Sequence, residues 1–198
     1  MSVLERLRTN PKKTIESSYL YFGRIIYNEG CKVRISEQSN GIATVFNVTK
    51  CDESNDYFFP YIPSKAGQVN VNNPKDGTIV ITQPMNGCAL EVRYDHCCYN
   101  FYHDYNGKSM SCEQKKGVLC CRIVADDYWD NDYIEKSKSL VPVVQFVCVY
   151  LNQKWHVGAF GLKLTSHGND NYLVTKVFEP KGGHYRGCFS SIQYLMKE

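Results

Sequence analysis

The sequence predicts an α+β fold, a β-sandwich with a helical segment at its N-terminus. Three observations carry that expectation. Short runs rich in Val, Ile, Tyr, Phe and Thr recur at close intervals from residue 31 onward, separated by Gly, Pro, Asn and Asp. Helical periodicity is confined to the first 30 residues. The chain has 198 residues, 43% hydrophobic and 13% aromatic, which suits one domain, 1–198, with a single sizeable core.

Taken in order, residues 1–30 form the helical segment and 31–198 the β-rich core. Thr14 is placed to cap "IESSYLYFGRIIYNEG", with Ile15, Leu20, Phe22, Ile25 and Ile26 on its apolar side and Gly30 as its stop. "CKVRIS" and "IATVFNV" flank Ser39-Asn40-Gly41 and read as a hairpin. Residues 52–77, with Pro60, Pro63 and Pro74 among several Asn and Asp, read as loop. Strands are then expected at about 78–82, 88–94, 99–105, 117–125, 142–151, 154–164, 172–179 and 187–195. Among them "VVQFVCVYL" and "KWHVGAFGLKL" are apolar on both sides and meet at Asn152-Gln153, the pattern of a buried central hairpin. "DDYWDNDYIEKSKS" (126–139) reads as a loop or short helix.

Composition excludes several function classes. The net charge is +3 and the charges are mixed along the chain, so neither a nucleic-acid stripe nor a polybasic membrane patch is expected. No run of about 18 apolar residues exists, so no membrane span is expected. "MSVLERLRTNPKK" lacks the apolar core of a secretory signal. The ten Cys sit largely among strand-forming residues, as in "QFVCVYL" and "GVLCCRIV", and no CxxC occurs. Buried free thiols in a reducing compartment are the expectation, with no metal and no cofactor. A monomer is expected.

The stretch that carries chemistry is "ITQPMNGCALEVRYDHCCYNFYHDYNG", residues 81–107. Strand alternation puts Cys88, Leu90, Val92 and Tyr94 on one face. Tyr99, Phe101 and His103 share a face of the next strand. A two-residue turn at Asp95-His96 sets Cys88 directly opposite His103, where Cβ atoms lie roughly 4.5–5.5 Å apart. A register shift of two still leaves them on one face. His96 falls at the turn. A thiol beside an imidazole can form a thiolate–imidazolium nucleophile. Gly87 permits an unusual backbone and close approach of a substrate. The "PMNG" turn could aim backbone N–H groups, with Gly87 and Cys88 as candidates, at a developing oxyanion. The same parity also describes two ordinary core residues.

"MNGC" followed by strand, turn, strand and His resembles the "LSGC" signature of the bacterial toxin deamidases, the cytotoxic necrotizing factor catalytic domain and the Burkholderia lethal factor. Met85 and Asn86 stand where that signature has Leu and Ser. The resemblance implies a β-sandwich of mixed sheets with peripheral helices. It implies catalytic Cys88 and His103, with Thr82 matching the Thr of the lethal factor's site. The backbone carbonyl that serves as third group in the necrotizing factors is expected upstream, within 50–65. The implied activity is conversion of a host protein's Gln to Glu through a thioester. The implied targets are a small GTPase or a translation-initiation helicase. The implied setting is the host cytosol, reached from the bacterial cytoplasm without a signal peptide.

Two other readings stay open. One is a different Cys–His acyl-transfer enzyme, a protease or a transglutaminase, although the protease signature "CGSCW" is missing. The other is a β-sandwich binding module without catalysis. Rival sites are weaker. His156 lies mid-strand and reads as structural. His184 and Cys188 are four apart, but Gly182, Gly183 and Gly187 argue against the helix a two-ligand metal face needs. His167 reads as a loop residue. "NPKDG" (73–77) is a turn without phosphate-loop spacing.

Overall fold

The computed structural model describes residues 1–23, 25–40, 42–107, 115–128, 141–166, 172–178 and 190–192. The N-terminus departs from the expected single helix. Two short helices form instead, α1 (Val3–Thr9) and α2 (Pro11–Ser17), followed by strand β1 (Leu20–Phe22). The reason is local capping. Ser2 and Glu5 make a reciprocal capping box, with Glu5 N–H donating to Ser2 Oγ at 3.2 Å and Ser2 N–H to Glu5 Oε2 at 2.8 Å. Asn10 ends α1 and caps α2, and Pro11 occupies the first turn. Thr14 therefore lies inside α2, its hydroxyl donating back to Asn10 O at 2.9 Å. The apolar residues from Leu20 onward serve a strand, not a helix face.

Residues 31–50 form the expected hairpin, β2 (Cys31–Asn40) and β3 (Ala43–Lys50). Residues 52–77 are not all loop. They hold β4 (Asp56–Phe59) and β5 (Ala66–Asn72). β5 alternates, with Val69 and Val71 buried and Gln68, Asn70 and Asn72 exposed. Asn and Gln on its outward face give it the composition of a loop. Next come β6 (Ile79–Thr82), β7 (Ala89–Asp95), β8 (Cys98–Asp104), a 3-10 turn at Tyr105–Gly107 and β9 (Val118–Ile123). Helix α3 (Ala125–Tyr128) precedes β10 (Val141–Leu151), β11 (Lys154–Ser166), β12 (Tyr172–Phe178) and β13 (Ser190–Ile192).

Two sheets result. The larger runs β1-β3-β2-β4-β6-β10-β11-β12, with β13 also paired to β11. It is mixed, because β1–β3 and β4–β6 are parallel. The smaller runs β5-β8-β7-β9 and is antiparallel throughout. The β10–β11 hairpin turns at Asn152-Gln153, both in the left-handed region, and β10 sits inside the large sheet between β6 and β11.

The large sheet is covered on both faces, which explains why its central strands read as apolar on both sides. Along β10, Val143, Val147 and Val149 join Leu7 of α1 and Ile15 of α2 in one core. Val144, Phe146 and Cys148 face the small sheet with Leu90, Val92, Phe101 and Trp155. Each fully buried aromatic or aliphatic side chain contributes about 1.5–3 kcal/mol. Gly158 on β11 lets α2 approach, since a Cβ there would stand 2.4 Å from Ile15 Cδ1. Gln145, fully buried on β10, clasps β1 by accepting from Phe22 N–H at 2.8 Å and donating to Phe22 O at 2.9 Å. Among the described residues, no helix is long and apolar enough to cross a membrane.

Candidate active site

Thr82 ends β6, two residues beyond Val80, and so faces the small sheet. His103 lies on β8, two residues beyond Phe101, and so faces the large sheet. The two meet across the sandwich, with Thr82 Oγ1 and His103 Nδ1 2.7 Å apart. Thr82 Oγ1 also lies 2.8 Å from Phe59 O, on the neighbouring strand β4. A carbonyl can only accept, so the hydroxyl proton goes to Phe59. The hydroxyl oxygen then accepts from His103 Nδ1–H. This fixes the neutral imidazole with its proton on Nδ1 and leaves Nε2 as a base. Nε2 is buried without a hydrogen-bond partner among the described residues. The Phe59 carbonyl lies within the stretch 50–65, and it acts through Thr82.

Cys88 immediately precedes β7 and is 6% exposed. The hairpin turn is His96-Cys97, both with positive φ, and not Asp95-His96. Leu90, not Cys88, therefore stands opposite His103. The register is displaced by two, so Cys88 keeps the face of His103 but sits diagonally from it. Both registers bury the same apolar face, so alternation does not distinguish them. His96 is exposed at the turn, as expected.

Gly87 has φ +92, and among the described residues nothing lies within 4 Å of the position a Cβ would take. Its backbone freedom is required, and that side is open. The oxyanion expectation needs correction. Tyr128 from α3, fully buried, donates to Cys88 O at 2.6 Å, and the N–H groups of Gly87 and Cys88 face its phenol oxygen. The backbone N–H groups that point at the Cys88 sulfur are those of Asn106 and Asn86.

Electrostatics corrects the expected ion pair. Burial pushes the Cys88 thiol up, the two amides oppose this, and the nearby Asp104 charge adds to it. Burial pushes His103 down to about 3, with Asp104 opposing. The resting site therefore holds a neutral thiol and a neutral imidazole, not a thiolate–imidazolium pair.

Aromatic rings stand next to His103. Tyr61 lies 5.3 Å from the His103 ring and 6.1 Å from Tyr105, which is 37% exposed. Tyr61 N–H donates to Gln83 Oε1 at 2.6 Å, which fixes that segment. On the outer face of the small sheet lies a buried ionic cluster. Lys115 Nζ donates to Glu91 Oε2 at 2.9 Å and to Asp104 Oδ2 at 2.7 Å. Arg93 Nε donates to Glu91 Oε1 at 2.5 Å. Burial opposes ionisation of Glu91, but its bonds to Arg93 and Lys115 outweigh it and hold the carboxyl below its usual range.

Sequence reasoning did not find Tyr128, Tyr61 or Asn106. Only Asn106 carries a signal, since "YNG" marks a tight turn with positive φ. Among the described residues, no group of three or more His, Cys, Asp or Glu is placed to hold a metal. His156 is half-buried on β11 with Nε2 3.3 Å from Leu151 O, a structural arrangement. His167, His184 and Cys188 lie outside the described residues. A cleft of about 620 Å³ between Asn28–Lys32 and β5 does not include Cys88 or His103 in its lining.

No family model matches the chain, and no curated protein does.

Proposed function

We propose that the protein is a protein-glutamine deamidase with Cys88 as nucleophile, His103 as general base and acid, and Thr82 as the residue that orients His103. The observation that carries the reading is the Phe59 O–Thr82–His103 relay. It fixes the tautomer of an imidazole that shares a face with Cys88 and has an unpartnered Nε2 among the described residues. Leaving a buried polar atom unpaired costs about 1–3 kcal/mol, and it is the unpaired nitrogen together with the fixed tautomer that suits His103 to act as a base.

The chemistry follows from the neutral resting pair. His103 Nε2 removes the thiol proton as the sulfur attacks the carboxamide carbon of a substrate Gln. The N–H groups of Asn106 and Asn86 stabilise the negative charge on the sulfur as its proton leaves. The imidazolium then protonates the leaving nitrogen, ammonia departs and a thioester remains. Water enters, His103 takes one of its protons, and the hydroxyl adds to the thioester carbon. Collapse expels the Cys88 sulfur, which recovers the proton from His103, and the Gln has become Glu. No cofactor is needed to balance these steps.

The resemblance extends this reading to a toxin or effector that acts on a small GTPase or a translation-initiation helicase in a host cytosol. The test is incubation of the purified protein with such candidates, followed by ammonia assay and peptide mass spectrometry. A Gln-to-Glu exchange that Cys88→Ala abolishes is expected. Backbone cleavage, or cross-linking to an amine in preference to water, would replace the reading with that of a protease or transglutaminase.

A further inference from the structure

The turn after β8 brings the Asn106 N–H to the Cys88 sulfur, through a left-handed conformation that Asn and Gly accept. Asn106 has φ +49 and Gly107 φ +70. Bonds from three described residues help hold the turn in place. Tyr105 N–H donates to Lys65 O at 3.2 Å. Lys115 Nζ donates to Asp104 Oδ2 at 2.7 Å, from the outer face of the small sheet. Arg122 Nη2 donates to Gly107 O at 2.6 Å. A Cβ at Gly107 would make ordinary contacts, 3.4 Å from Ala89 Cβ and 3.7 Å from Arg122 Nη2, so what requires Gly there is its φ of +70.

Residues 103 and 104 point to opposite faces of β8. Asp104 therefore carries the outer cluster, while His103 carries the site. Of the cluster, Asp104 acts on the reacting groups through its charge, raising the pKa of both Cys88 and His103, and burying four charges is no economical route to stability. Replacing such pairs with apolar residues is often neutral or favourable.

We propose that the outer ionic cluster positions the catalytic turn, with Arg122 and Lys115 as positioning residues that hold the Asn106 amide against the Cys88 sulfur. The proposal rests on the reading of Cys88 as nucleophile. It makes the support of the nucleophile a two-sided arrangement: Asn86 from the strand entry on one side, and Asn106 from the clamped turn on the other. Arg93 belongs to the same cluster but bonds Glu91 and the Lys115–Gly117 backbone, not the turn.

The experiment is the alkylation rate of Cys88 by iodoacetamide against pH, read at that residue by peptide mass spectrometry. It needs no Gln substrate, so it stands or falls separately from the deamidase reading. Arg122→Gln and Gly107→Ala are compared with wild type, and Arg93→Gln serves as the control for lost cluster charge and lost stability. Gly107→Ala displaces the turn without altering charge. Each of the first two should cut the alkylation rate at neutral pH by about tenfold, the scale of one lost hydrogen bond to a charged group. Arg93→Gln should leave the rate within about twofold while lowering the melting temperature, as expected for a contact with a structural role only. Unchanged alkylation in Gly107→Ala overturns the proposal. So does an equal loss in Arg93→Gln, which would make the effect one of general charge. A wild-type Cys88 that does not react at any pH overturns it as well, because the sulfur beside open Gly87 must then be sealed.

Discussion

The Thr82 hydroxyl accepts from His103 Nδ1 at 2.7 Å across the gap between two sheets, while giving its own proton to Phe59 O at 2.8 Å. One oxygen thus sets the tautomer of a buried imidazole. The residue after which β6 stops is held in the large sheet, and the residue it orients belongs to the small one. Relative movement of the sheets would break the relay before it broke either ladder.

Thr82→Val keeps the shape and removes the hydroxyl. His103 Nδ1–H and Phe59 O both lose their partner, and the imidazole is free to take the wrong tautomer. The expected result is a rate loss of roughly 10- to 100-fold and a destabilisation of about 1–3 kcal/mol. Thr82→Ser should restore most of both. Steady-state kinetics and a denaturant melt on the two variants check this. Equal activity in Val and Ser variants would remove Thr82 from the site.

Tyr128 reaches Cys88 from 40 residues further along the chain, and its phenol is the fixed point for the Cys88 carbonyl. Tyr128→Phe deletes one buried oxygen and leaves the ring packed edge-on against Phe146. Activity should fall about tenfold with stability lowered by about 1–3 kcal/mol, because the Cys88 carbonyl loses its donor and the Gly87 and Cys88 N–H groups lose the oxygen they face. A kcat effect without a KM effect is the expected split, because the phenol is fully buried and bonds the backbone of Cys88.

The two histidines of the 81–107 stretch should behave differently. His103→Ala removes the base and should cost on the order of a hundredfold or more. His96 is exposed in a turn, and His96→Ala should alter the rate less than about threefold. Cys88→Ala should abolish activity with the fold retained. Rates and melting curves of the three variants test the assignment, and an essential His96 with a dispensable His103 would end it.

How much of this was legible in the sequence depends on range. The shared face of Cys88 and His103 follows from a period of two, which survives a register error of two; the opposition of Leu90 and His103 does not follow, because both registers are equally apolar. The strands at 56–59 and 66–72 were hidden by Pro60, Pro63 and the outward Asn and Gln of β5. The N-terminal helix was overextended because Leu20 and Phe22 suit a helix face as well as a buried parallel strand. Nothing local announces that a second sheet will bury His103. Its charge state was therefore out of reach, and with it the failure of the ion pair.

That burial makes the last prediction one of pH. A buried imidazole with a folded pKa of about 3 stays neutral in the native protein, whereas in the unfolded chain it titrates near 6.5. Between those values the unfolded state binds the extra proton, so stability rises with pH in this window. The contribution of His103 is complete above about 6.5 and is lost progressively as pH falls toward about 3. Replacement of His103 by Gln should flatten the stability profile over that range by as much as a few kcal/mol. The activity profile has its own signature. Because the base is neutral down to about pH 3, no loss of rate near pH 6–7 should come from His103 protonation in the free enzyme. Because burial raises the Cys88 thiol, its alkylation midpoint should lie above the ordinary value of about 8.5. Urea melts from pH 3 to 8 on wild type and His103→Gln, with Cys88 alkylation from pH 6 to 10, test both halves. A midpoint below 8.5 that rises when His103 is removed would restore the thiolate–imidazolium pair and sink the neutral resting site.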